Sequence, residues 1–462
     1  MDKQKQDMPV PAASDNKHRE ITFTNKALVA LIIPLVIEQF LNVAVGLADS
    51  LMVASVGEAA VSAVSLVDSI NVLLVFALNA LATGGAVVCG QFLGRHDLNK
   101  AGEAAQQLLV FVTLLALGIT AVLYAGKYAV LHGLFGQIEE DVMAYANTYF
   151  FIVEASIPFM ALYSAGAAIF RVMGNSSVSM KISLVMNAIN VGGNALLIFG
   201  FGCGVEGVAI PTLVARMVAA ASVLVLLRNP ALDVHLARGQ KYKYNGGMVG
   251  KILKIGVPSS IESSLFQLGK VLLLSLVSTF GTASIAANAI ANSVAIIQNL
   301  VGSSIGIAMI TVVSQCVGAH DFQHARHYVG KLMKWTYSAA ALWTLFMIAL
   351  QPFIVDLYNV SGEAARLAMI ILWLHGGIGI LFWPAAFTLP QALKGAGDTT
   401  FTMIAAASTM WTFRIGCGYL FAKFFGMGVL GIWLAMFVDW VFRAALFIWR
   451  WRGDKWETKY VK

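Results

Sequence analysis

Charge is what this chain has least of. Asp, Glu, Lys and Arg together make up 12% of its 462 residues, against 58% apolar residues, whereas soluble domains carry about a quarter charged residues. That shortage excludes a soluble globular protein and places the chain in a bilayer. Cysteine is sparse too: Cys89, Cys203, Cys316 and Cys417 share no spacing, which excludes a disulfide framework and a thiolate metal site. His320, His324 and His327 have helical spacing but no accompanying carboxylate motif, so they predict a solvated interfacial cluster and no metal ligand set. No nucleophile or metal constellation stands out, and neither an enzyme nor an organic cofactor is expected. Strand alternation is missing as well, since runs such as 271–274 and 367–374 are apolar at consecutive positions. The first two dozen residues lack the apolar stretch of a secretory signal, so insertion by the first helix is expected.

What the chain has in abundance is repetition. Pro34-x-x-x-Glu38 returns as Pro258-x-x-x-Glu262, Gly57-x-Ala59 as Gly281-x-Ala283, and Gln91-x-x-Gly94-x-His96-Asp97 as Gln315-x-x-Gly318-x-His320-Asp321, all displaced by 224 residues. Further on, Arg171-Val-Met-Gly174 faces Lys394-Gly-Ala-Gly397, and Gly204-Val-x-Gly207 faces Gly428-Val-x-Gly431. Apolar stretches of roughly 20 residues predict about twelve helical spans, at 27–53, 59–88, 104–126, 142–168, 178–201, 205–227, 251–278, 283–315, 328–351, 364–390, 399–421 and 428–449. They divide into two groups of six, and an even number keeps both groups the same way up. The fold class is therefore an all-α membrane protein with two six-helix lobes related by a parallel pseudo-two-fold repeat. The domain plan is a tail at 1–24, an N-lobe at 25–228, a linker at 229–250, a C-lobe at 251–449 and a second tail at 450–462. Duplicated membrane halves point to a transporter with a pathway between them.

The net charge of +7 reflects topology, not nucleic acid. Lys and Arg collect before the first span, after the second, in the linker and after the last, so both termini and the linker are expected to be cytoplasmic in a multi-pass protein of the cell membrane.

Ionisable groups within spans cost on the order of 3 kcal/mol each, so each is a candidate for function. Glu38, Asn42, Gly46 and Asp49 form one stripe on the first helix, with Glu38 and Asp49 roughly 16 Å apart along the axis. Asp49 is the candidate coupling carboxylate, able to trade a proton for a metal cation or a structural change. Asn187, Asn190 and Asn194 share a face of the fifth span and can serve either a protonated carboxyl or an alkali cation, with Thr212 of the sixth span as a further member. Glu38, Asn42, Asp68, Glu262 and Lys270 are the candidates for the substrate cleft. Lys270 replaces Gly46 of the first half and is expected to pair with Glu262, two turns earlier. At depth, Lys270 and Arg414 stand nearly alone as cations. Glu154 is a further intramembrane acid.

In Pro34 with Gly46-Leu-Ala-Asp49 and Val56-Gly57, in the segment 84–97 with its repeat 306–321, and in 171–176, 187–200 and 204–212, the chain resembles the multidrug and toxic compound extrusion family. That resemblance implies a V-shaped secondary antiporter of drug-like, amphipathic and mainly cationic compounds, driven by H⁺ or Na⁺. It puts the coupling carboxylate on Asp49, with Asn190 and Asn194 in its network. Asn194 departs from the branch resembling DNA-damage-inducible protein F, where Asp is frequent. Phe266 and Trp383-Pro384 stand where norfloxacin exporters carry second-lobe acids, so the resemblance implies coupling in the first lobe. An exporter of lipid-linked oligosaccharide or another natural metabolite is the alternative. A monomer is the working expectation.

Overall fold

The protein is described by a computed structural model covering residues 22–136, 139–236 and 242–461. It is helical throughout the described residues. The first six long helices are α1 (Asn25–Val56), α2 (Glu58–Gly94), α3 (Leu98–Ala125), α4 (Glu140–Glu154 with Ile157–Val172), α5 (Ser176–Gly200) and α6 (Glu206–Leu226). The second six are α7 (Gly246–Ser278), α8 (Thr282–Gly318), α9 (Phe322–Leu357), α10 (Gly362–Gly395), α11 (Thr399–Thr409, continuing to Phe424) and α12 (Gly428–Arg452). Among the described residues, ten helices are long and apolar enough to cross a membrane, and α4 makes an eleventh across its 41° bend. The protein is thus an integral, multi-pass membrane protein. In sequence order α11 holds the twelfth place; it carries Arg414 and several threonines and alternates α with π turns. The chain enters α7 at Gly246, inside the segment expected to be linker, because Asn245 caps the helix by accepting the Met248 N–H at 3.1 Å.

Burial shows how the halves meet. One core gathers Leu81, Val88, Leu108 and Ile169 of the first half with Met248, Ile252 and Ile255 from the start of α7. Its counterpart gathers Met309, Val313 and Leu393 of the second half with Leu28, Leu31 and Leu35 from the start of α1. Each half thus begins inside the core of the other. The two remaining cores do not mix: Met52, Val64, Phe150 and Val208 belong to the first half, and Leu276, Ile290, Val294 and Trp440 to the second. The halves are joined at the end that carries Arg95, Lys251 and Arg450, and they part towards the other.

The duplicated Gln-x-x-Gly-x-His-Asp segment builds the junction. Gln91 Nε2 donates to the Gly395 carbonyl at 3.1 Å, and Gln315 Nε2 donates to the Val172 carbonyl at 2.6 Å, so each glutamine ties its own half to the opposite one. Gly94 and Gly318 let the backbones touch: a Cβ would lie 2.0 Å from the Gln315 oxygen in one case and 2.1 Å from the Gln91 oxygen in the other. His96 and His320 both take φ 58°, a left-handed turn that histidine tolerates better than most residues. Asp97 and Asp321 then cap α3 and α9, accepting the Lys100 and His324 N–H groups at 3.1 and 3.0 Å. The Lys100 backbone N–H, and secondarily its ammonium, hold the Asp97 carboxyl below its usual range.

The C-terminal segment closes over this junction. Trp456, in the short turn Lys455–Thr458, is fully buried and stacks on Trp451. Arg326 bridges to Glu457 and Asp454 at 2.7 and 2.8 Å. The Val461 N–H donates to Gln91 Oε1 at 2.7 Å, and Arg95 donates to the Val461 carbonyl. His320 packs edge-on against Tyr460 and His324 pairs with Asp321, so this histidine cluster belongs to the junction.

Candidate functional site

The helices α1 and α5 face one another through a polar ladder made by the three- and four-residue spacing of their side chains. Ser179 donates to Glu38 Oε2 at 3.0 Å, Ser183 and Asn187 approach Asn42 Oδ1 at 3.4 and 3.5 Å, and Asn194 Nδ2 donates to Asp49 Oδ1 at 2.7 Å. The Asn190 amide stands between Asp49 and Thr212. One of its polar atoms lies 2.9 Å from Asp49 Oδ1 and the other 3.0 Å from Thr212 Oγ1. An ionised carboxylate offers no proton, so it takes the amide N–H, and the amide oxygen then accepts the Thr212 hydroxyl. Asn194 Oδ1 is buried with no hydrogen-bond donor among the described residues. Asp49, Asn190, Asn194 and Thr212 therefore come together on three helices, and Asn187 sits one turn away with Asn42.

Around this cluster lie groups that sequence reasoning placed only in part. Tyr149 donates to Asp68 at 3.2 Å. Arg216 of α6, not singled out from the sequence, donates to Ser156 at the bend of α4 at 2.7 Å and reaches Asp49, Asp68 and Glu154 electrostatically. Both Glu154 carboxyl oxygens are buried without a hydrogen bond among the described residues. The signal for Arg216 was available, since a cation inside an apolar span is costly unless acids surround it.

Glu38 stands apart from the two large cavities between the halves. It is 2% exposed, forms a buried ion pair with Arg171, and lines neither large cavity. Asn42 also stands away from those cavities, bonded within the ladder. The expected Glu262–Lys270 pair does not form either. Glu262 binds Lys394 at 2.9 Å and Thr402 at 3.0 Å, the repeat equivalents of Arg171 and Ser179, so duplication and not helical proximity chose its partner.

Two adjoining cavities of about 450 and 490 Å³ lie between the halves, walled mostly by the second, and share Gln267, Lys270, Asn292, Arg414, Trp433 and Met436. Asp68 borders one and Glu262 the other. Aromatic walls come from Phe266, Phe387, Trp383 and Trp440. The π stretches Pro384–Thr388 and Met410–Gly416 place Phe387, Met410 and Arg414 there; π turns recur at functional sites. Arg443 and Asp439, four residues apart on α12, add a buried pair at 3.3 Å, and Arg414 lies 3.2 Å from Asp439. Lys270 and Arg414 are therefore not alone at depth: Arg171, Arg216 and Arg443 join them.

The halves have diverged at these positions. Repeat partners of Asp49, Asn187, Asn190, Asn194 and Thr212 are Leu273, Met410, Phe413, Cys417 and Met436. The first half keeps a polar cluster and the second an apolar, aromatic cavity.

Comparison with known proteins agrees with this architecture. The MatE family profile matches residues 34–196 and again 258–420, the same 224-residue displacement seen in the motifs. "Uncharacterized transporter YisQ" of Bacillus subtilis is 26% identical over 94% of this chain and 95% of its own length. "Probable multidrug resistance protein NorM" of Thermotoga maritima is 23% identical over 96% and 95%. A solved structure described as the outward-facing conformation of a multidrug resistance MATE family transporter superposes with a TM-score of 0.85 at 20% identity, over 92% of this chain and 95% of that one.

Proposed function

This chain belongs to the MatE family, and from that premise we propose that it is a secondary active antiporter of the cytoplasmic membrane. It exports amphipathic compounds by alternating access, in exchange for H⁺ or Na⁺ taken up at Asp49. The observation that carries this reading is the Asp49–Asn190–Asn194–Thr212 cluster, set in the region where the halves part. The positive-inside rule makes the basic junction cytoplasmic, so this conformation is closed to the cytoplasm.

The cluster can register a proton. With Asp49 ionised, the Asn190 N–H points at the carboxylate and its oxygen accepts the Thr212 hydroxyl. With Asp49 protonated, its O–H donates to the Asn190 oxygen, the Asn190 N–H donates to Thr212 Oγ1, and Thr212 donates to the Val208 carbonyl at 2.8 Å. One proton thus reverses two hydrogen bonds linking α1, α5 and α6, and a ligand shifts an equilibrium through such differences between states. Sodium is the second reading. The unpartnered Asn194 Oδ1, with a carboxylate oxygen of Asp49, offers oxygens of the kind a hard cation takes.

A cationic cargo was the expectation from resemblance; Lys270, Arg414 and Arg443 against Glu262 in the wall of the cavity favour the opposite sign. The test of antiport is transport in proteoliposomes under separately imposed pH and Na⁺ gradients, with fluorescent amphiphiles of either charge and Asp49→Asn alongside. Uphill movement driven by one gradient, absent in the variant, is the expected result. Movement that stops at equilibration under both gradients would make the protein a passive channel.

A further inference from the structure

The cavity of the second half contains a cation without an anion. Lys270 lines both adjoining cavities, yet it makes no hydrogen bond or ion pair among the described residues. Every acid near it already has a donor. Asp439 is shared by Arg414 and Arg443, Glu262 is held by Lys394 and Thr402, and Asp68 accepts from Tyr149 across the cleft. Arg414 lies within electrostatic reach of Lys270, and no acid among the described residues pairs with the Lys270 ammonium. Arg414 turns its buried Nε to Asp439, 3.2 Å from Oδ2, and makes no hydrogen bond among the described residues, while the residue lines both cavities.

Much of the rest of the wall is aromatic. Phe266, Phe387, Trp383, Trp433 and Trp440 surround the space, interspersed with neutral polar groups such as Gln267, Asn292, Asn299 and Gln391, and with Arg443 as a further cation. Cavities of about 450 and 490 Å³ suit a drug-sized molecule, since ligand sites span roughly 300–1,000 Å³ and combine apolar walls with a few polar groups. The repeat shows that the cation is not an architectural requirement: the equivalent of Lys270 is Gly46, which has no atom within 4 Å of the place where its Cβ would be.

We propose that this cavity binds an organic anion with an aromatic or otherwise apolar body, its acidic group held by Lys270 and the guanidinium of Arg414. The body lies among the aromatic residues, and the acidic group relieves the repulsion between the two cations. The inference rests on the export reading for its purpose, but not for its test.

That test is calorimetric titration of the purified, detergent-solubilised protein with two probes of matched shape, naphthalene-2-sulfonate and trimethyl(2-naphthyl)ammonium. Wild type is expected to bind the sulfonate at least tenfold more tightly than the ammonium. Lys270→Gln should weaken the sulfonate by about tenfold, and Lys270→Glu should invert the preference. Lys270 makes no hydrogen bond or ion pair among the described residues, so both variants should fold, and their thermal midpoints verify this. Equal or tighter binding of the ammonium by wild type, an unchanged sulfonate affinity in Lys270→Gln, or no heat from either probe overturns the proposal. Displacement of the sulfonate by a short-chain phosphatidylglycerol would identify a lipid headgroup as the anion; no displacement identifies a free organic acid. Sulfonate binding without gradient-driven transport would sink the antiport reading and leave this site standing, whereas ammonium transport with no sulfonate preference would do the reverse.

Discussion

Gln91 and Gln315 occupy equivalent places in the two halves, and each donates its side-chain amide to a carbonyl of the other half, Gly395 and Val172 respectively. The paired crossing makes the basic end of the molecule a symmetric clasp. Gln91 carries one more burden than its partner, because its oxygen also accepts the Val461 N–H. The C-terminal segment is therefore part of the clasp, and any state open at this end must break both crossings and lift that segment.

Removing residues 453–462 should loosen the clasp. The deletion exposes the surface covered by Trp456, whose burial contributes about 2–3 kcal/mol, together with the Arg326 ion pairs. Cys89 and Cys316 are fully buried beside the junction and serve as native reporters. In a Cys203→Ser, Cys417→Ser background, a maleimide applied to the basic face should label the truncated protein at least tenfold faster than the full chain, because labelling follows the population of the open state. An unchanged rate would mean that the segment covers the junction without holding it.

Asp49→Asn should leave the protein folded and uncoupled. The substitution is close to isosteric, and the new amide can donate to the Asn190 oxygen as the protonated carboxyl would. Efflux driven by a pH or Na⁺ gradient should fall to the level of empty liposomes. The thermal midpoint should stay within a few degrees, since no cation is left unpaired. Gradient-driven efflux at the wild-type rate in this variant would remove Asp49 from the coupling role.

The fold was legible in the sequence because duplication and apolar length are both linear signals. The 224-residue displacement named the pseudo-symmetric pairs, and structure adds that Gln91, Gly94, His96 and Asp97 act as crossing, contact, turn and cap. The Asp49 cluster was legible for the same reason, since helical spacing put Asn190 and Asn194 on one face. What spacing could not give was partner choice between helices. Glu262 and Lys270 share a helix face, yet the ammonium that reaches Glu262 comes from Lys394, on a helix whose approach is set by packing far away in sequence. Arg216 and Arg443 were readable as isolated charges, but their acids lie on other helices or, for Asp439, four residues back inside an apolar span.

The two repeated ion pairs should differ in weight. The difference lies in the carboxylates, with the Glu38 side chain 3% exposed and Glu262 14%, while their cations Arg171 and Lys394 are alike at 17% and 15%. Removing one partner of a buried pair strands the other and costs about 3–5 kcal/mol, much more than at a hydrated pair. Glu38→Gln should therefore lower the thermal midpoint in detergent more than Glu262→Gln, and Arg171→Met added to Glu38→Gln should recover most of the loss. Equal destabilisation by the two single variants would contradict the structural role assigned to Glu38. A change in probe affinity with Glu38→Gln at unchanged stability would return it to the cleft.

Gly94→Ala tests whether the clasp is limited by contact or by hydrogen bonding. The added methyl would fall 2.0 Å from the Gln315 carbonyl oxygen, far inside any permitted separation, and that oxygen is backbone in a fully packed helix. The strain cannot be absorbed by a rotamer change; it must displace α2 from α8. Both crossings stretch together, because Gln91 precedes Gly94 by less than one turn and Gln315 is itself the obstruction. The alanine variant should label at Cys89 and Cys316 at least as fast as the truncated protein, with the C-terminal segment intact. Ala at Gly102, where a Cβ meets nothing within 4 Å, is the matched control and should label like wild type. If Gly94→Ala instead labels at the wild-type rate, the halves tolerate a wider separation at this end than two interlocked glutamines allow, and closure must depend on the mixed cores around Leu28 and Ile252 rather than on the repeated motif.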